Sequence, residues 1–508
     1  MNNQKPIKKA LISVYYKDGL EVIIRALHSK GVMLYSTGGT YDFITSLGIE
    51  AHKVEDLTGY PSILGGRVKT LHPKVFGGIL GRTELHQDKE DMESYHIEPF
   101  DLVLVNLYPF EETVKSGADH DHIIEKIDIG GISLIRAAAK NYHYVLCVSS
   151  PDQYAELADI INRKDCQTDM DERLRYAAKA FAESSKYDTA IFNYLSTQSG
   201  VKEFRFAGGA PNELRYGENP HQEGTFFGNL ESVFTKLHGK ELSYNNLLDL
   251  DAGIGLIREF SETTFAILKH NNPCGIASRP NLTEAWKAAL EADPLSAYGG
   301  VFITNTVIDE VTATEINKLF FEIILAPGYE KNAIELLKSK KNRIILQTKT
   351  FDFQAKQFRS VLNGVLQQDK DLKIETTDDL NVITVKGPDT EQMEDLLFAN
   401  KIVKHSKSNA IVLVSGKQLL SSGIGQTSRV DALKQAIDKA NFFGLNLKKA
   451  VMASDAYFPF GDSVEIAHKA GIASVIQPGG SIRDKESIDY CNINGISMVF
   501  TGVRHFKH

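Results

Sequence analysis

The 508-residue sequence has few of the features that mark a membrane-bound or disulfide-bonded protein. No uninterrupted apolar run approaches the roughly 20 residues that a membrane-spanning helix requires. The four cysteines, Cys147, Cys166, Cys274 and Cys491, lie far apart and form no CxxC pair, which argues against a disulfide framework and a structural zinc site. The apolar run near the N-terminus is too short for a signal-peptide core and lacks a small-residue cleavage site. We therefore expect a cytoplasmic protein without a membrane partner.

A strong excess of charge of one sign is also absent, since the formal net charge is only −8 at pH 7. The charges are spread along the chain, which argues against a nucleic-acid coat or a polybasic membrane patch. Anionic ligands would have to be attracted by local groups. Hydrophobic residues make up 42% of a chain that is longer than one hydrophobic core can serve, so we expect several domains.

Residues 1–150 alternate apolar runs with segments of helical periodicity. The strand-like runs are KALISV, VMLYS, DLVLVNLY and YVLCVSS, and the helical segments are DGLEVIIRALHSKG, TYDFITSLG and ISLIRAAAKN. Apolar strands that alternate with helices predict an α/β domain whose parallel sheet is covered on both faces. Ligands of such sheets lie beyond the carboxyl ends of the strands, so the residues directly after each strand are the candidates for binding and catalysis.

The remaining chain predicts a connector and a second α/β domain. Within residues 151–200, the segment DERLRYAAKAFAESSKYDTAIFNYLS has a helical rhythm without glycine or proline, which predicts a helical connector. The cluster FAGGAPNELRYGENPHQEG follows and is rich in turn-forming residues, so we place the second domain at residues 201–508. Apolar strands followed by polar loops recur in both parts of this domain, which indicates a possible subdivision near residue 395.

Two loops in the first domain have the composition of a phosphate site. The run STGGT follows a strand and precedes a helix, and hydroxyls and glycine amides at a helix N-terminus can bind a phosphate. The second loop follows the first predicted strand and contains Ser13 and Lys17. Each of the two loops, taken alone, is equally typical of ordinary helix caps and turns. Two such loops on adjacent strand ends favour a phosphate. The candidate residues are Ser13, Lys17, Ser36, Thr37, Gly38, Gly39 and Thr40.

The segment GGRVKTLHPK, which contains Arg67 and Lys69, carries four potential cations. Its glycine spacing does not fit a Walker loop. A solvated face is one interpretation, but the loss of helical and strand periodicity predicts a loop whose basic groups converge. Tyr108 follows another predicted strand, where a core tyrosine is the alternative. Asp128 precedes a helix that it could simply cap, and Arg136 and Lys140 share a face of that helix.

These runs together resemble a known domain. SVYYKDGL, STGGT, GGRVKTLHPK, NLYPF, DIGG and AAAKN are similar, in order and spacing, to the IMP cyclohydrolase domain of the bifunctional purine enzymes, which has a methylglyoxal-synthase-like fold. The resemblance implies closure of formyl-AICAR to IMP with loss of water. It implies that Lys69 and Tyr108 act on the formyl oxygen, that Asp128 takes a proton from the carboxamide, that Lys140 tunes Asp128, and that Arg67 binds substrate.

In the second domain, Lys269 and His270 end an apolar strand that enters an Asn-Pro loop. Adjacent side chains on a strand point to opposite faces, but at a strand end this alternation can break, so both could face one pocket. A satisfied structural histidine is the alternative. A zinc deaminase would need an H-x-E run and a P-C-x-x-C run, and Ala277 stands where the second cysteine would be. We therefore predict no metal. The glycine pairs in GIGLIR and GIGQTS lack the third glycine of a dinucleotide site.

Several polar clusters surround this pair in the sequence, and each alone could be a turn or a cap. Together they resemble the AICAR transformylase domain, which has two subdomains of cytidine-deaminase-like fold without zinc. The resemblance implies formyl transfer from 10-formyltetrahydrofolate, as co-substrate, to AICAR. It implies His270 as general base, Lys269 as the group that stabilises the tetrahedral intermediate, and Asn409 as the group that orients the formyl. The implied substrate-binding residues are Arg215, Tyr216, Tyr298, Gly299, Arg429, Tyr457 and Arg504.

The resemblance also implies a homodimer with the transformylase sites at the subunit interface. The chain departs from the family in three places. Tyr16-Lys17-Asp18 stands where Asp-Lys-Thr is common, Tyr457 stands where phenylalanine is common, and Asn363-Gly364 replaces a glycine pair.

Two other functions would fit parts of the sequence. A nucleotide sensor would keep the phosphate loops without catalysis, but the joint presence of Lys69, Tyr108, Asp128, Lys269 and His270 argues against it. A methylglyoxal synthase would use the first domain alone and would consume dihydroxyacetone phosphate.

Overall fold

The computed structural model describes residues 4–351 and 353–508. The chain forms two compact units, one that ends at Gly208 and one that spans Gly209–His508. Among the described residues, no helix combines the length and apolar character needed to cross a membrane.

The first unit contains seven strands and ten α-helices among its described residues. The strands are β1 (Lys5–Pro6), β2 (Lys9–Ser13), β3 (Met33–Ser36), β4 (His52–Lys53), β5 (Leu102–Val105), β6 (Leu146–Val148) and β7 (Gln167–Thr168). The helices are α1 (Leu20–Ser29), α2 (Gly38–Ser46), α3 (Val54–Thr58), α4 (Pro73–Leu80), α5 (His86–Ser94), α6 (Phe110–Lys115), α7 (His120–Ile124), α8 (Gly130–Lys140), α9 (Tyr154–Arg163) and α10 (Met170–Ser199). Short 3₁₀ turns occupy Leu64–Gly66 and Pro151–Gln153.

The central sheet of this unit has the order β4-β3-β2-β5-β6, and all neighbouring strands are parallel. Successive residues of β2 and β5 alternate between two cores, one formed with α1 and α9 and the other with α4, α8 and α10. The predicted parallel sheet with both faces covered is therefore confirmed. From β2 the chain adds β3 and β4 on one side of the sheet, and it then crosses to add β5 and β6 on the other side. A crevice beyond the carboxyl ends of β2 and β5 is the usual ligand site of such a sheet.

Residues 151–200 belong to the first unit, whereas the sequence predicted a separate helical connector for them. β7 pairs with β1, and α9 packs on α1 through an apolar stripe. α10 begins at a capping box formed by Asp169 and Glu172 and buries Tyr176, Ala177 and Ala180 in the two cores. The helical rhythm was interpreted correctly, but its apolar face covers the sheet rather than bridging two domains.

The second unit repeats one architecture. Its strands are β8 (Pro211–Glu213), β9 (Thr225–Phe227), β10 (Phe234–His238), β11 (Thr264–Lys269), β12 (Asn272–Ser278), β13 (Val301–Thr304), β14 (Ile323–Ala326), β15 (Ile344–Thr348), β16 (Lys356–Val361), β17 (Gly364–Asp369), β18 (Asn381–Val382), β19 (Ile411–Val414), β20 (Leu419–Gly423), β21 (Val451–Ser454), β22 (Ser474–Gln477) and β23 (Ser497–Phe500). Its helices are α11 (Tyr244–Ile257), α12 (Leu282–Glu291), α13 (Pro294–Ala297), α14 (Glu310–Ile316), α15 (Lys331–Leu337), α16 (Thr390–Lys404), α17 (Arg429–Phe442), α18 (Asp462–Lys469) and α19 (Asp484–Asn494). Short 3₁₀ turns occupy Leu230–Ser232 and Thr377–Asp379.

Two six-stranded sheets have the orders β10-β15-β14-β13-β11-β12 and β18-β23-β22-β21-β19-β20. Read in these orders, both sheets show the same series of pairings: antiparallel, parallel, parallel, antiparallel and antiparallel. α11 and α16 precede the equivalent hairpins, and each begins with a capping box. The unit is therefore a structural duplication, and the exposed hairpin β16–β17 lies between its halves in the chain. The second half begins with β18, shortly before residue 395.

The C-terminal segment is held to this unit by a buried ionic group. The imidazole of His505 is 2% exposed, and its Nδ1 lies 2.6 Å from Asp371 Oδ2. Its Nε2 lies 3.2 Å from Glu375 Oε1. Burial alone would lower the pKa of His505, but the two carboxylates outweigh it and raise that pKa to about 9. Asp371 and Glu375 follow β17, so His505 joins the end of the chain to the segment between the two halves.

We expect His505→Gln to lower stability at acid and neutral pH and to have less effect above about pH 9. The folded-state pKa of about 9 exceeds the ordinary value of 6.5. The ionic contribution is therefore fully present below about pH 6.5 and is lost as the pH rises through 9. In urea unfolding, the variant's free energy of unfolding should be lower than that of the wild-type protein by on the order of 2 kcal/mol at pH 6, and this difference should be smaller at pH 9.5. His508→Gln, at an exposed position, is the control, and an equal deficit at both pH values would contradict the expectation.

Candidate active sites

In the first unit, the loop after β2 is bonded to the start of α2. The Thr40 hydroxyl accepts a hydrogen bond from the Val14 N–H at 3.1 Å and donates to the Val14 carbonyl at 2.9 Å. Lys17 Nζ donates to the carbonyls of Val14 and Tyr15 and to Thr40 Oγ1. Burial lowers the pKa of Lys17. Thr40 and Lys17 therefore fix this loop, and Ser13 lies at its start as the last residue of β2.

The loop after β3 presents amides rather than hydroxyls. The Ser36 hydroxyl is fully buried and donates to the Ile12 carbonyl at 2.7 Å, so it joins β3 to β2. Thr37 is the N-cap of α2 and makes no side-chain capping bond. Gly38, with φ +46°, and Gly39 follow at the exposed N-terminus of that helix. The first amides of a helix lack intrahelical acceptors, and its positive end attracts anions.

Lys69 reaches this helix N-terminus. Its Nζ lies 3.6 Å from the position that a Cβ on Gly38 would occupy, so a side chain at Gly38 would crowd the ammonium. Arg67 instead forms an exposed ion pair with Glu125, and His72 caps α4 by accepting the Lys74 N–H. The basic residues of this loop were predicted to converge, but among these three only Lys69 approaches the glycines.

Asp128, Tyr108 and Lys69 form one electrostatic group. Asp128 Oδ1 accepts the Gly131 N–H at 2.6 Å. Burial raises the pKa of Asp128, and the amides of Gly131 and Tyr108 and the charge of Lys69 oppose that rise only in part. Burial also raises the pKa of Tyr108, and the charge of Asp128 adds to that rise. The structure thus brings together three of the four residues predicted for catalysis in this unit.

Within one chain, Lys140 does not lie near Asp128. It is the last residue of the 11-residue helix α8, whereas Asp128 lies just before the helix begins. A rise of 1.5 Å per residue puts about 15 Å between the two helix ends. Lys140 and Arg136 instead line a largely apolar groove of about 600 Å³ with Phe181. This placement gives no support to the predicted effect of Lys140 on Asp128.

Tyr187, on α10, was not predicted and supports Asp128. Its hydroxyl accepts the Asp128 N–H at 2.9 Å and donates to the Lys126 carbonyl at 2.7 Å. The ring of Tyr187 packs edge-on against Phe110. The signal in the sequence was an aromatic residue within the helical rhythm of α10, but the assignment of that helix as a connector concealed it.

The second unit contains a cavity of about 190 Å³ beside the β11–β12 hairpin. Five of the predicted residues line it: Lys269, His270, Arg215, Tyr216 and Gly299. The other lining residues are Ser243, Asn245, Asn246, Asp249, Leu268, Gly300, Val301 and Glu322, none of which was predicted. Asn245, Asn246 and Asp249 come from α11, far from Lys269 in sequence, so local patterns could not reveal them. Leu268 and Gly300 adjoin predicted residues.

The local fold explains why Lys269 and His270 face one cavity. Lys269 pairs with Asn272 across a two-residue turn formed by His270 and Asn271. These two residues have φ values of 51° and 65°, the left-handed conformation that a type I′ turn requires at both central positions. His270 is therefore not a strand residue, and the alternation of strand side chains does not apply to it. Lys269 Nζ donates to the Tyr298 carbonyl at 2.9 Å, while the Tyr298 side chain is exposed.

Asn409, Arg429, Tyr457 and Arg504 form a different region of the unit and do not line this cavity. The buried Arg429 guanidinium donates to Asn409 Oδ1 at 2.8 Å, to Asp455 Oδ1 at 2.7 Å and to the Tyr457 carbonyl at 3.2 Å. These contacts hold the Asn409 side chain, and substrate binding by Arg429 stays a prediction.

The side chains of Tyr457 and Arg504 are exposed in this second region, and the guanidinium of Arg504 lies 4.4 Å from the centre of the Phe506 ring. Within residues 4–351 and 353–508, no three His, Cys, Asp or Glu side chains form a group that could hold a metal ion.

Comparison with known proteins identifies the family. Residues 138–439 match the family model described as AICARFT/IMPCHase bienzyme, and residues 19–133 match the MGS-like domain. The bifunctional purine biosynthesis protein PurH of Bacteroides thetaiotaomicron is 61% identical over the full length of both chains. The proteins of the same name from Acetivibrio thermocellus and Aquifex aeolicus are each 46% identical over 99% and 98% of this chain and all of theirs. The chain therefore belongs to the family of bifunctional AICAR formyltransferase/IMP cyclohydrolase enzymes, which catalyse the last two steps of purine biosynthesis.

Proposed function

We propose that the second unit transfers a formyl group from 10-formyltetrahydrofolate to AICAR, and that the first unit closes formyl-AICAR to IMP. The observation that carries this division is the presence of a separate group of proton-handling side chains in each unit. Lys269 and His270 line a cavity in the second unit, while Lys69 lies beside Asp128 in the first. A cytoplasmic location is part of the proposal.

In the formyl transfer, the amine of AICAR is a weak nucleophile because its lone pair is delocalised into the imidazole ring. Close positioning and removal of the amine proton must therefore act together. His270 takes that proton as the new N–C bond forms. Lys269 stabilises the oxyanion of the tetrahedral intermediate and delivers a proton to the folate nitrogen as the old N–C bond breaks. Formyl-AICAR and tetrahydrofolate leave.

The remaining cavity groups suit a nucleotide substrate. Arg215 is exposed, and its guanidinium lies 4.8 Å from the centre of the Tyr216 ring. Such a pair offers a cation for a phosphate or carboxamide and an aromatic surface for the base. Gly299 has φ +72° and borders the cavity without a side chain, which leaves room for a ligand.

In the cyclisation, the carboxamide nitrogen attacks the formyl carbon of the same molecule. An amide nitrogen is a poor nucleophile, so its proton must be removed and the developing oxyanion stabilised. Asp128 accepts the proton, and the burial that raises its pKa makes its carboxylate a stronger base than an exposed one. Lys69 and Tyr108 donate to the formyl oxygen, which leaves as water when the C–O bond breaks. The formamide nitrogen then forms the C=N bond of the ring and returns its proton to this donor pair. The substrate phosphate binds at the N-terminus of α2, at the amides of Gly38 and Gly39.

The direct test incubates the purified protein with AICAR and 10-formyltetrahydrofolate and separates the products by chromatography. We expect IMP and tetrahydrofolate in equal amounts, and no consumption of dihydroxyacetone phosphate.

In the same assay Lys69→Ala should accumulate formyl-AICAR, because loss of the oxyanion donor lowers the cyclisation rate by about 10²–10³-fold. Lys89→Ala, on the exposed face of α5, is the control. Normal IMP output from Lys69→Ala would remove Lys69 from the mechanism, and AICAR binding without any product would favour a sensor.

His270→Asn should lose formyl transfer and keep cyclisation. Asparagine tolerates the left-handed backbone conformation, so this substitution removes the base with little disturbance of the turn. We expect the rate of formyl-AICAR formation to fall about 10²–10⁴-fold, while added formyl-AICAR is still converted to IMP. Retained formyl transfer would show that another group takes the amine proton.

We also propose that the enzyme is a homodimer in which Asn409 of one subunit completes the cavity of the other. In one chain Asn409 and Arg429 lie outside the cavity that holds Lys269 and His270, although all four are assigned to one reaction. The exposed rings of Tyr298 and Tyr457 lie in the two separate regions and suit an interface.

Mixed dimers test this arrangement. His270→Asn and Asn409→Ala should each have little formyl-transfer activity alone. After co-refolding or co-expression, random pairing should restore about a quarter of the wild-type activity, because half of the dimers then carry one intact site. Recovery would support a shared site, and the absence of recovery in dimers shown to have mixed would contradict it. A mixture of His270→Asn with Lys269→Ala, both in the same cavity, is the control that should not recover.

A further inference from the structure

Asp249, on α11, lies in the formyl-transfer cavity and has no role in the proposed mechanism. Its Oδ1 accepts the N–H of Asn271 at 2.6 Å, so a helix carboxylate is bonded directly to the turn that carries His270. Burial raises the pKa of Asp249, and the Asn271 N–H and the charge of His270 oppose that rise. The carboxylate therefore contacts one residue of the turn and interacts electrostatically with the other.

This turn needs an external restraint. Both His270 and Asn271 have left-handed backbone conformations, which are unfavourable for a histidine and better tolerated by an asparagine. Turns of this type usually contain glycine, and this one has none. A second contact to the turn is uncharged, since Asn272 Nδ2 donates to the His270 carbonyl at 2.8 Å.

The duplicated half contains the same contact. Asp249 is the sixth residue of α11, and Asp395 is the sixth residue of α16. Asp395 accepts the N–H groups of Gly416 and Lys417 at 2.7 and 2.6 Å, and these residues form the turn of the β19–β20 hairpin with φ values of 57° and 52°. A helix carboxylate that binds a left-handed hairpin turn is therefore a feature of the repeated fold, and only the first copy carries a histidine on the turn.

We propose that Asp249 is a positioning residue for formyl transfer, one that holds the left-handed turn so that His270 faces the cavity beside Lys269. The inference rests on the proposed role of His270 as the base. The expected effect is on geometry, because the imidazole can take the proton only when it points at the amine of the bound substrate. A displacement of about 1 Å at such a group can lower a rate about 10²-fold without changing substrate affinity.

The test compares Asp249→Ala and Asp249→Asn with the same substitutions at Asp395. Asparagine keeps an oxygen that can accept the Asn271 N–H, whereas alanine does not. We expect Asp249→Ala to lower kcat for formyl transfer about 10–100-fold with KM for AICAR changed less than about threefold. Asp249→Asn should recover most of that loss. Cyclisation of formyl-AICAR by the same preparations should be unchanged, which shows that the first unit is folded, and an unchanged KM for AICAR shows that the second unit still binds substrate.

Asp395→Ala is the matched control, because it removes the same contact from a turn without a base. It should lower the melting temperature about as much as Asp249→Ala and leave kcat for formyl transfer within about twofold. If Asp249→Ala lowers the melting temperature but not kcat, Asp249 is only structural and the proposal is overturned. An increase in KM without a change in kcat would make it a substrate-binding residue and would also overturn the proposal.

The double variant that combines Asp249→Ala with His270→Asn separates this inference from the proposed function. If Asp249 acts by holding His270, then Asp249→Ala should have little further effect on the residual formyl-transfer rate of His270→Asn. An equal loss in both backgrounds would show that Asp249 acts independently of His270. The role of His270 itself is judged by the single variant His270→Asn against the wild-type protein, so its failure is visible without any change at Asp249.

Discussion

The central strands of both units are buried on both faces, so a polar side chain can meet a substrate only where a strand ends. Ser13 ends β2, Lys69 meets the helix that follows β3, Tyr108 follows β5, and Lys269 ends β11. This constraint concentrates the candidate chemistry at sheet edges. It also requires turns and helix termini to hold the reactive groups in place of strand hydrogen bonds. The supports are accordingly helix residues: Thr40 for the first loop, Tyr187 for Asp128, and Asp249 for the turn of His270.

The partners of a buried carboxylate decide its proton affinity. Burial raises the pKa of Asp293, but the ion pair with Lys439 and the hydrogen bonds from Ser296 together outweigh it, and the pKa falls below its usual value. Asp128 and Asp249 receive mainly backbone N–H bonds, and their pKa values are raised. Asp395 has the same kind of partners and a raised pKa without lying at any candidate site. A raised pKa therefore identifies a carboxylate that lacks a full counter-charge, and only its position beside other reactive groups makes it a candidate base.

The sequence predicted the parts of the fold that depend on local periodicity. The apolar runs assigned to β2, β3, β5, β6 and β11 are strands, and the long helical periodicity of residues 171–196 is a helix. Lys269, His270, Arg215 and Tyr216 were also assigned to one site, and they line one cavity. In contrast, the family resemblance implied that Lys140 tunes Asp128, although a helix separates the two residues within one chain. Asp249 and Tyr187 could not be predicted, since each contact joins residues many positions apart and depends on how a helix packs.

The two halves of the second unit show how one fold can place chemistry on one copy only. In the second half, the turn that corresponds to His270-Asn271 is Gly416-Lys417, and Lys417 Nζ forms ion pairs with Glu262 at 2.7 Å and Glu394 at 2.8 Å. The Lys417 carbonyl also accepts the Ser278 N–H at 3.0 Å, and Arg279 donates to the Gly416 carbonyl.

The backbone of this second turn thus bonds to the first half, and the Lys417 ammonium is already paired. The first turn borders an open cavity instead and keeps an imidazole that is exposed to it. The same helix-to-turn contact therefore occurs in both halves, and only in the first half does the turn carry an imidazole beside a cavity.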